Sequence, residues 1–93
     1  MNETNAQEIK YTQPEILSLI QTYNQTDRKI IKQNYKRILL EYNIQPKQIM
    51  ELGFAKNNCY AWSTKSSPNI PMLDQALSIS VAFNFNVEEF LLQ

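Results

Sequence analysis

The sequence predicts an all-α fold, a compact domain of five to six short helices. Three observations predict it. Apolar residues recur at helical spacing, most clearly Ile31, Tyr35, Ile38 and Tyr42 at intervals of 4, 3 and 4. Prolines stand where helices can begin, at Pro14, Pro46 and Pro71. No strand signal competes, because there is no Asn-Gly or Asp-Gly pair and no long apolar–polar alternation.

The elements follow in order. Residues 1–13 are polar and read as a flexible tail. Ile16, Leu17, Leu19, Ile20 and Tyr23 then form an apolar stripe, so a helix is expected near 14–24, within an extra N-terminal unit spanning 14–26. Asn24-Gln25-Thr26-Asp27 is a break, with Thr26 or Asp27 as the cap of the next helix. That helix is expected over about 27–43, with Leu39 beside its stripe and Lys29, Lys32, Lys36 and Arg37 on its other faces. Pro46 starts a third helix carrying Ile49, Met50 and Leu52, which stops before Gly53. A short fourth helix is expected from about 56 to 63, and 63–70 is a loop. Pro71 begins a fifth, with Leu73, Ala76, Leu77, Val81 and Phe83 as candidate core residues. After a turn at Asn84-Phe85-Asn86, Val87 to Leu92 forms a last short helix carrying Phe90 and Leu91.

Ninety-three residues, 43% of them hydrophobic, suffice for one domain with a modest core. With one cysteine, Cys59, and no histidine, an internal disulfide framework and a Cys/His zinc site are both excluded. A lone thiol fits a reducing compartment, so a cytoplasmic location is expected. No apolar run approaches the roughly 18 residues of a membrane span. The polar start Met1-Asn2-Glu3-Thr4-Asn5 lacks the pattern of a signal peptide.

Catalysis is not expected. The chain offers no histidine base, no glycine-rich phosphate loop and no usefully spaced carboxylate pair, since Glu88 and Glu89 are adjacent. Ser63, Thr64, Ser66 and Ser67 lie near Lys65, but without a further partner they read as a hydrogen-bonding loop. Cys59 falls at an inward position and reads as core. No cofactor or metal is expected.

The net charge is zero, but its distribution is uneven. Residues 1–27 carry Lys10 against Glu3, Glu8, Glu15 and Asp27, net −3. Residues 28–65 carry Arg28, Lys29, Lys32, Lys36, Arg37, Lys47, Lys56 and Lys65 against Glu41 and Glu51, net +6. Residues 66–93 hold only Asp74, Glu88 and Glu89, net −3. A basic centre between acidic ends suits an anionic partner, although lysines on a helix also serve simply as a solvated face.

The single glycine, Gly53, separates the third and fourth helices. A reversal within three or four residues usually needs one residue at positive φ, which glycine adopts at least cost. On a helix starting near Lys56, Cys59 and Trp62 face inward together, leaving Lys56, Asn57, Asn58, Tyr60 and Ala61 outside. Asparagine matches the N6 and N7 edge of adenine, and lysine suits guanine O6 and N7. Adjacent asparagines are also ordinary surface residues.

Gly53-Phe54-Ala55-Lys56-Asn57-Asn58-Cys59-Tyr60-Ala61-Trp62 resembles the turn and recognition helix of Cro and phage-repressor type (Xre-like) helix-turn-helix proteins. Downstream, Pro71-Met72-Leu73-Asp74-Gln75-Ala76 and Phe83-Asn84-Phe85-Asn86-Val87-Glu88-Glu89-Phe90-Leu91 resemble that family's fourth and fifth helices. Upstream, Arg37-Ile38-Leu39-Leu40-Glu41-Tyr42-Asn43-Ile44 resembles its first helix and the entry to the second. The likeness covers roughly 28–92 and implies a lambda-repressor-like helix-turn-helix domain over 27–93. The chain departs from the pattern in several places. Its second helix is about one residue short, Pro46-Lys47 replaces a phosphate-touching glutamine, and Ile49 or Met50 replaces an alanine. Loop 63–70 is long, and Ser63 replaces an acidic residue.

The resemblance implies base-edge roles for Lys56, Asn57 and Ala61, the last through its methyl group. It implies phosphate or sugar contacts for Lys47, Asn58, Tyr60, Thr64 and Lys65. Lys36 and Arg37 would add long-range attraction. The implied partner is double-stranded DNA, and the implied role is a transcriptional regulator, a repressor above all, of a bacterium, phage or mobile element. Few lysines at the interface favour a homodimer on a palindromic site, joined through helix 14–24 or the last helix. The alternative is a protein-binding module on the same fold, such as an antirepressor, antitoxin or inhibitor. Zero net charge, acidic ends and the extra N-terminal helix favour it.

Overall fold

A computed structural model describes residues 11–93. The chain is all-helical and compact, with five α-helices and no strand among the described residues. They are α1 (Gln13–Gln25), α2 (Arg28–Glu41), α3 (Pro46–Met50), α4 (Lys56–Ser63) and α5 (Leu73–Ala82), followed by a 3-10 helix, Val87–Leu91. No described helix is long and apolar enough to cross a membrane. Residues 1–10 of the expected tail lie outside the described residues. Its last two residues before α1 are engaged: the Tyr11 hydroxyl donates to Asn86 Oδ1 (2.9 Å), and Thr12 caps α1.

The helix starts share a device. At N3 of α1, α3 and α5, the side chains of Glu15, Gln48 and Gln75 accept from the backbone N–H of the caps Thr12, Gln45 and Met72 (2.7–2.8 Å). Each satisfies a donor that the helix leaves open. Asp27 caps α2, its carboxylate accepting from Lys29 N–H at 2.8 Å. Met72, not Pro71, is the cap of α5, so the proline sits outside the helix and is buried.

Two helix ends share another. After α2 and α5, Asn43 (φ 54°) and Asn84 (φ 59°) take the left-handed conformation. The next residues, Ile44 and Phe85, donate back to Leu39 O and Ser80 O (2.8 and 2.9 Å) and bury their side chains. This is the left-handed helix stop with a hydrophobic seal, and asparagine tolerates it better than other non-glycine residues. Phe85, expected only as part of a turn, is thereby a core residue.

An unbroken line of aromatic rings crosses the core. Phe54 meets Trp62 edge-on (5.4 Å), Trp62 meets Tyr35 edge-on (6.0 Å), and Tyr35 stacks on Phe90 (6.5 Å). Phe90 then tilts against Phe85 (5.9 Å), and Phe85 stacks on Tyr42 (4.9 Å). Such offset and edge contacts add to what burial alone contributes. Ile31, Ile38, Ile49, Ala76, Ile79 and Val87 fill the space around them. Among the described residues the buried Tyr35 hydroxyl has no hydrogen-bond partner of good geometry, and burial pushes its pKa up to about 12.

The apolar residues of α1 and α5 depart from expectation. Only Leu19 and Tyr23 of α1 are buried, while Ile16, Leu17 and Ile20 stay 39–59% exposed. On α5, Ile79 and Ser80 go inside with Ala76, while Val81 is 56% exposed. The stripes of the two helices line a shared open groove of about 790 Å³ with Tyr11, Ile70, Met72, Leu73 and Leu77.

Candidate nucleic-acid interface

The candidate surface is built on α4 and the segments entering and leaving it. After Met50 the chain turns through Glu51–Ala55, with Gly53 at φ 105°. A Cβ at Gly53 would meet nothing within 4 Å, so the demand for glycine comes from the backbone angle alone. Ala55 has no side chain that can cap α4. The first backbone N–H groups of the helix therefore stay available to an outside acceptor.

Burial orients α4. Cys59 and Trp62 are 3% exposed, and burial pushes the Cys59 thiol pKa up, as suits a packing residue. Lys56, Asn57, Asn58 and Tyr60 are exposed on the opposite side, and Ala61 is half-buried at the edge. The Lys56 ammonium lies 5.7 Å from the centre of the Tyr60 ring, one helical turn on. This contact holds both side chains along the outer face. Thr64 caps the end of α4, its hydroxyl donating to Tyr60 O at 2.7 Å, so the proton expected for a phosphate is engaged inside the chain. Lys47 and Lys65 are exposed, and among the described residues Lys47, Lys56 and Lys65 make no ion pair.

The basic centre of the sequence splits into two groups. Lys29, Lys36, Lys47, Lys56 and Lys65 point to solvent. Arg28, Lys32 and Arg37 are structural instead. Arg37 donates to Glu89 O (2.8 Å) and pairs with Glu41 and Glu89 at 3.1 and 3.4 Å, so its charge is balanced and it supplies no long-range attraction. Lys32 is buried rather than on a solvated face. Its Nζ donates to Ala61 O, Trp62 O and Thr64 O at 2.7, 3.2 and 3.0 Å. One turn earlier, Arg28 Nη1 donates to Pro68 O at 3.1 Å.

No family model, curated protein or solved structure matches this chain. The site therefore stands on its own geometry. All eight positions singled out from sequence lie on α3, α4 or the two residues after α4, and seven are exposed. Lys32 and Arg28 escaped sequence reading because their acceptors are main-chain oxygens, which leave no mark in the sequence. Lys32 does lie beside the buried stripe Ile31–Tyr35–Ile38, the one signal that could have exposed it.

Proposed function

We propose that the chain binds double-stranded DNA in a sequence-specific way, as a transcriptional regulator and most simply a repressor. In this reading α3, the Gly53 turn and α4 form a helix-turn-helix with α4 in the major groove. The observation that carries it is the two-sided build of α4. Cys59 and Trp62 anchor the helix, while Lys56, Asn57, Asn58 and Tyr60 stand clear of the core. An asparagine near the start of a groove-inserted helix can donate to and accept from one adenine edge. Lys47, Lys65 and the open N–H groups at the start of α4 serve the phosphates. The protein has no chemistry of its own in this reading, and the site needs no cofactor.

Selection from a random duplex pool, followed by anisotropy titration at several salt concentrations, tests it. Binding should weaken steeply with salt. Asn57→Ala should cost about 1–3 kcal/mol on the selected site and little on mixed-sequence DNA. Equal losses on both would remove Asn57 from base reading, and no binding even at low salt would remove DNA as the partner.

A lone α4 presents few cations, and two copies on a palindrome would double the contact. The apolar groove between α1 and α5 is the surface we assign to the second copy. Its lining includes Ile16, Ile20, Met72 and Val81 and, among the described residues, carries Arg28 and Asp74 as its charges, one of each sign. Sedimentation equilibrium should show a dimer that Ile20→Glu converts to a monomer. A wild-type monomer on DNA would refute the pairing. The same groove favours the second reading, a protein-binding module such as an antirepressor, antitoxin or inhibitor. That reading takes over if no duplex is bound and a host protein is captured through this groove.

A further inference from the structure

We infer that Arg28 and Lys32 form a clamp that sets the pose of α4 against DNA, with Lys32 the positioning residue for base reading. The inference rests on the DNA-binding reading above.

The geometry singles out Lys32 among the nine basic residues of the chain. It lies within α2, its stem is packed away from water, and it reaches the far end of α4. Three main-chain oxygens converge on its ammonium, those of Ala61, Trp62 and Thr64. The last carbonyls of a helix have no partner within the helix. They also carry the negative end of its dipole, where a cation is favoured. Among the described residues Trp62 O has no backbone donor, while Ala61 O and Thr64 O also accept from Thr64 N–H and Ser67 N–H. The ammonium thus satisfies one orphan acceptor, reinforces two others and matches the local charge. Burial, with Lys36 nearby, pulls the Lys32 pKa below its usual value. The converging oxygens favour the charged form in return.

The clamp also reaches past the helix. Arg28 sits four residues before Lys32 on the same face of α2 and holds Pro68 O. Together they fix the main chain at both ends of 61–68, the stretch that carries Thr64 and Lys65. α4 has only eight residues and no side-chain cap at its start. It has two buried anchors, Cys59 and Trp62, three residues apart on one side. These anchors hold one side of the helix over a single turn. The Lys32 bonds add a third attachment at its far end and limit any residual rotation. A small rotation of α4 would carry Asn57 and Lys56 off the base edges without moving the phosphate-facing lysines far. Specificity should therefore suffer more than non-specific affinity.

The test compares Lys32→Met with Lys29→Met. Both lose one positive charge, but Lys29 is exposed and, among the described residues, its side chain makes no hydrogen bond or ion pair. Affinity is measured for a duplex recovered by selection and for a mixed-sequence duplex, across a salt series, at a temperature where circular dichroism shows each variant folded. Lys32→Met should lose about tenfold on the selected duplex, comparable to one misread base pair. On mixed sequence it should match Lys29→Met. Its salt dependence should not fall by the roughly 0.9 in log–log slope that a lost phosphate contact gives. Should Lys32→Met not fold, Arg28→Met, altered at an exposed residue, should show a smaller drop in the same specificity ratio. A folded Lys32→Met with the wild-type ratio, a slope reduced by one phosphate, or, in that fallback, an unchanged ratio in Arg28→Met would overturn the clamp while leaving DNA binding intact. Failure of the wild type to bind any duplex would instead sink the underlying reading, and the clamp's role with it.

Discussion

Trp62→Ala should destabilise the domain by about 3–5 kcal/mol, the usual range for truncating a buried large aromatic. That is a large share of the roughly 5–15 kcal/mol that holds a small domain together. The cost has two sources. The indole is 3% exposed, so its removal returns a large apolar surface to water. It also stands between Phe54 and Tyr35 in the line of rings, so the space it leaves is walled by stiff neighbours that cannot collapse into it. α4 would keep Cys59 as its only buried anchor. Urea unfolding followed by circular dichroism measures the effect. A folded variant with an unchanged midpoint would mean that Trp62 does not pack as described.

Asn34→Leu should cost roughly 2–4 kcal/mol despite adding an apolar group to a buried site. The Asn34 amide donates to Phe90 O (2.8 Å) and Leu92 O (2.7 Å), while its Oδ1 accepts from Arg37 Nε (3.3 Å). Its donors and acceptor are all used. Leucine has the same branched skeleton but is bulkier. It leaves the buried Phe90 O without a donor, at about 1–3 kcal/mol where water is excluded, and the part-buried Leu92 O without its protein donor. The loss should concentrate at the chain end, because this side chain ties the closing 3-10 helix to α2. Urea midpoints, with amide exchange over 87–92, check both the size and the place. An unchanged midpoint would show that water replaces the amide without penalty.

Much of this fold was readable from residue spacing. The 4, 3, 4 spacing of Ile31, Tyr35, Ile38 and Tyr42 located α2, and three of those four side chains are buried. Cys59 and Trp62, three apart after the one glycine, gave both the limits of α4 and its inward side. Reading failed where a residue's role depends on something distant. Asn43 looks like any surface asparagine until the backbone angle is known. Val81 looks like a core residue, but the groove beside it is left open. Lys32 looked like a free charge because its acceptors begin 29 residues away, and Arg37 did because its main-chain acceptor, Glu89 O, lies 52 residues away. For the candidate interface, the exposed face of α4 could be read from sequence, while the Lys56–Tyr60 contact and the internal engagement of Thr64 could not.

The side chains of α2 that reach later segments are met mainly by main-chain oxygens. Arg28 takes Pro68 O, Lys32 takes those of Ala61, Trp62 and Thr64, and Asn34 and Arg37 take those of Phe90, Leu92 and Glu89. Every amino acid carries that oxygen. The attachment is therefore indifferent to which side chains α4 displays. Positions 56, 57, 58 and 60 are free to drift to other residues while the scaffold beneath keeps its grip. A chain built this way can evolve a new target without solving its folding problem a second time.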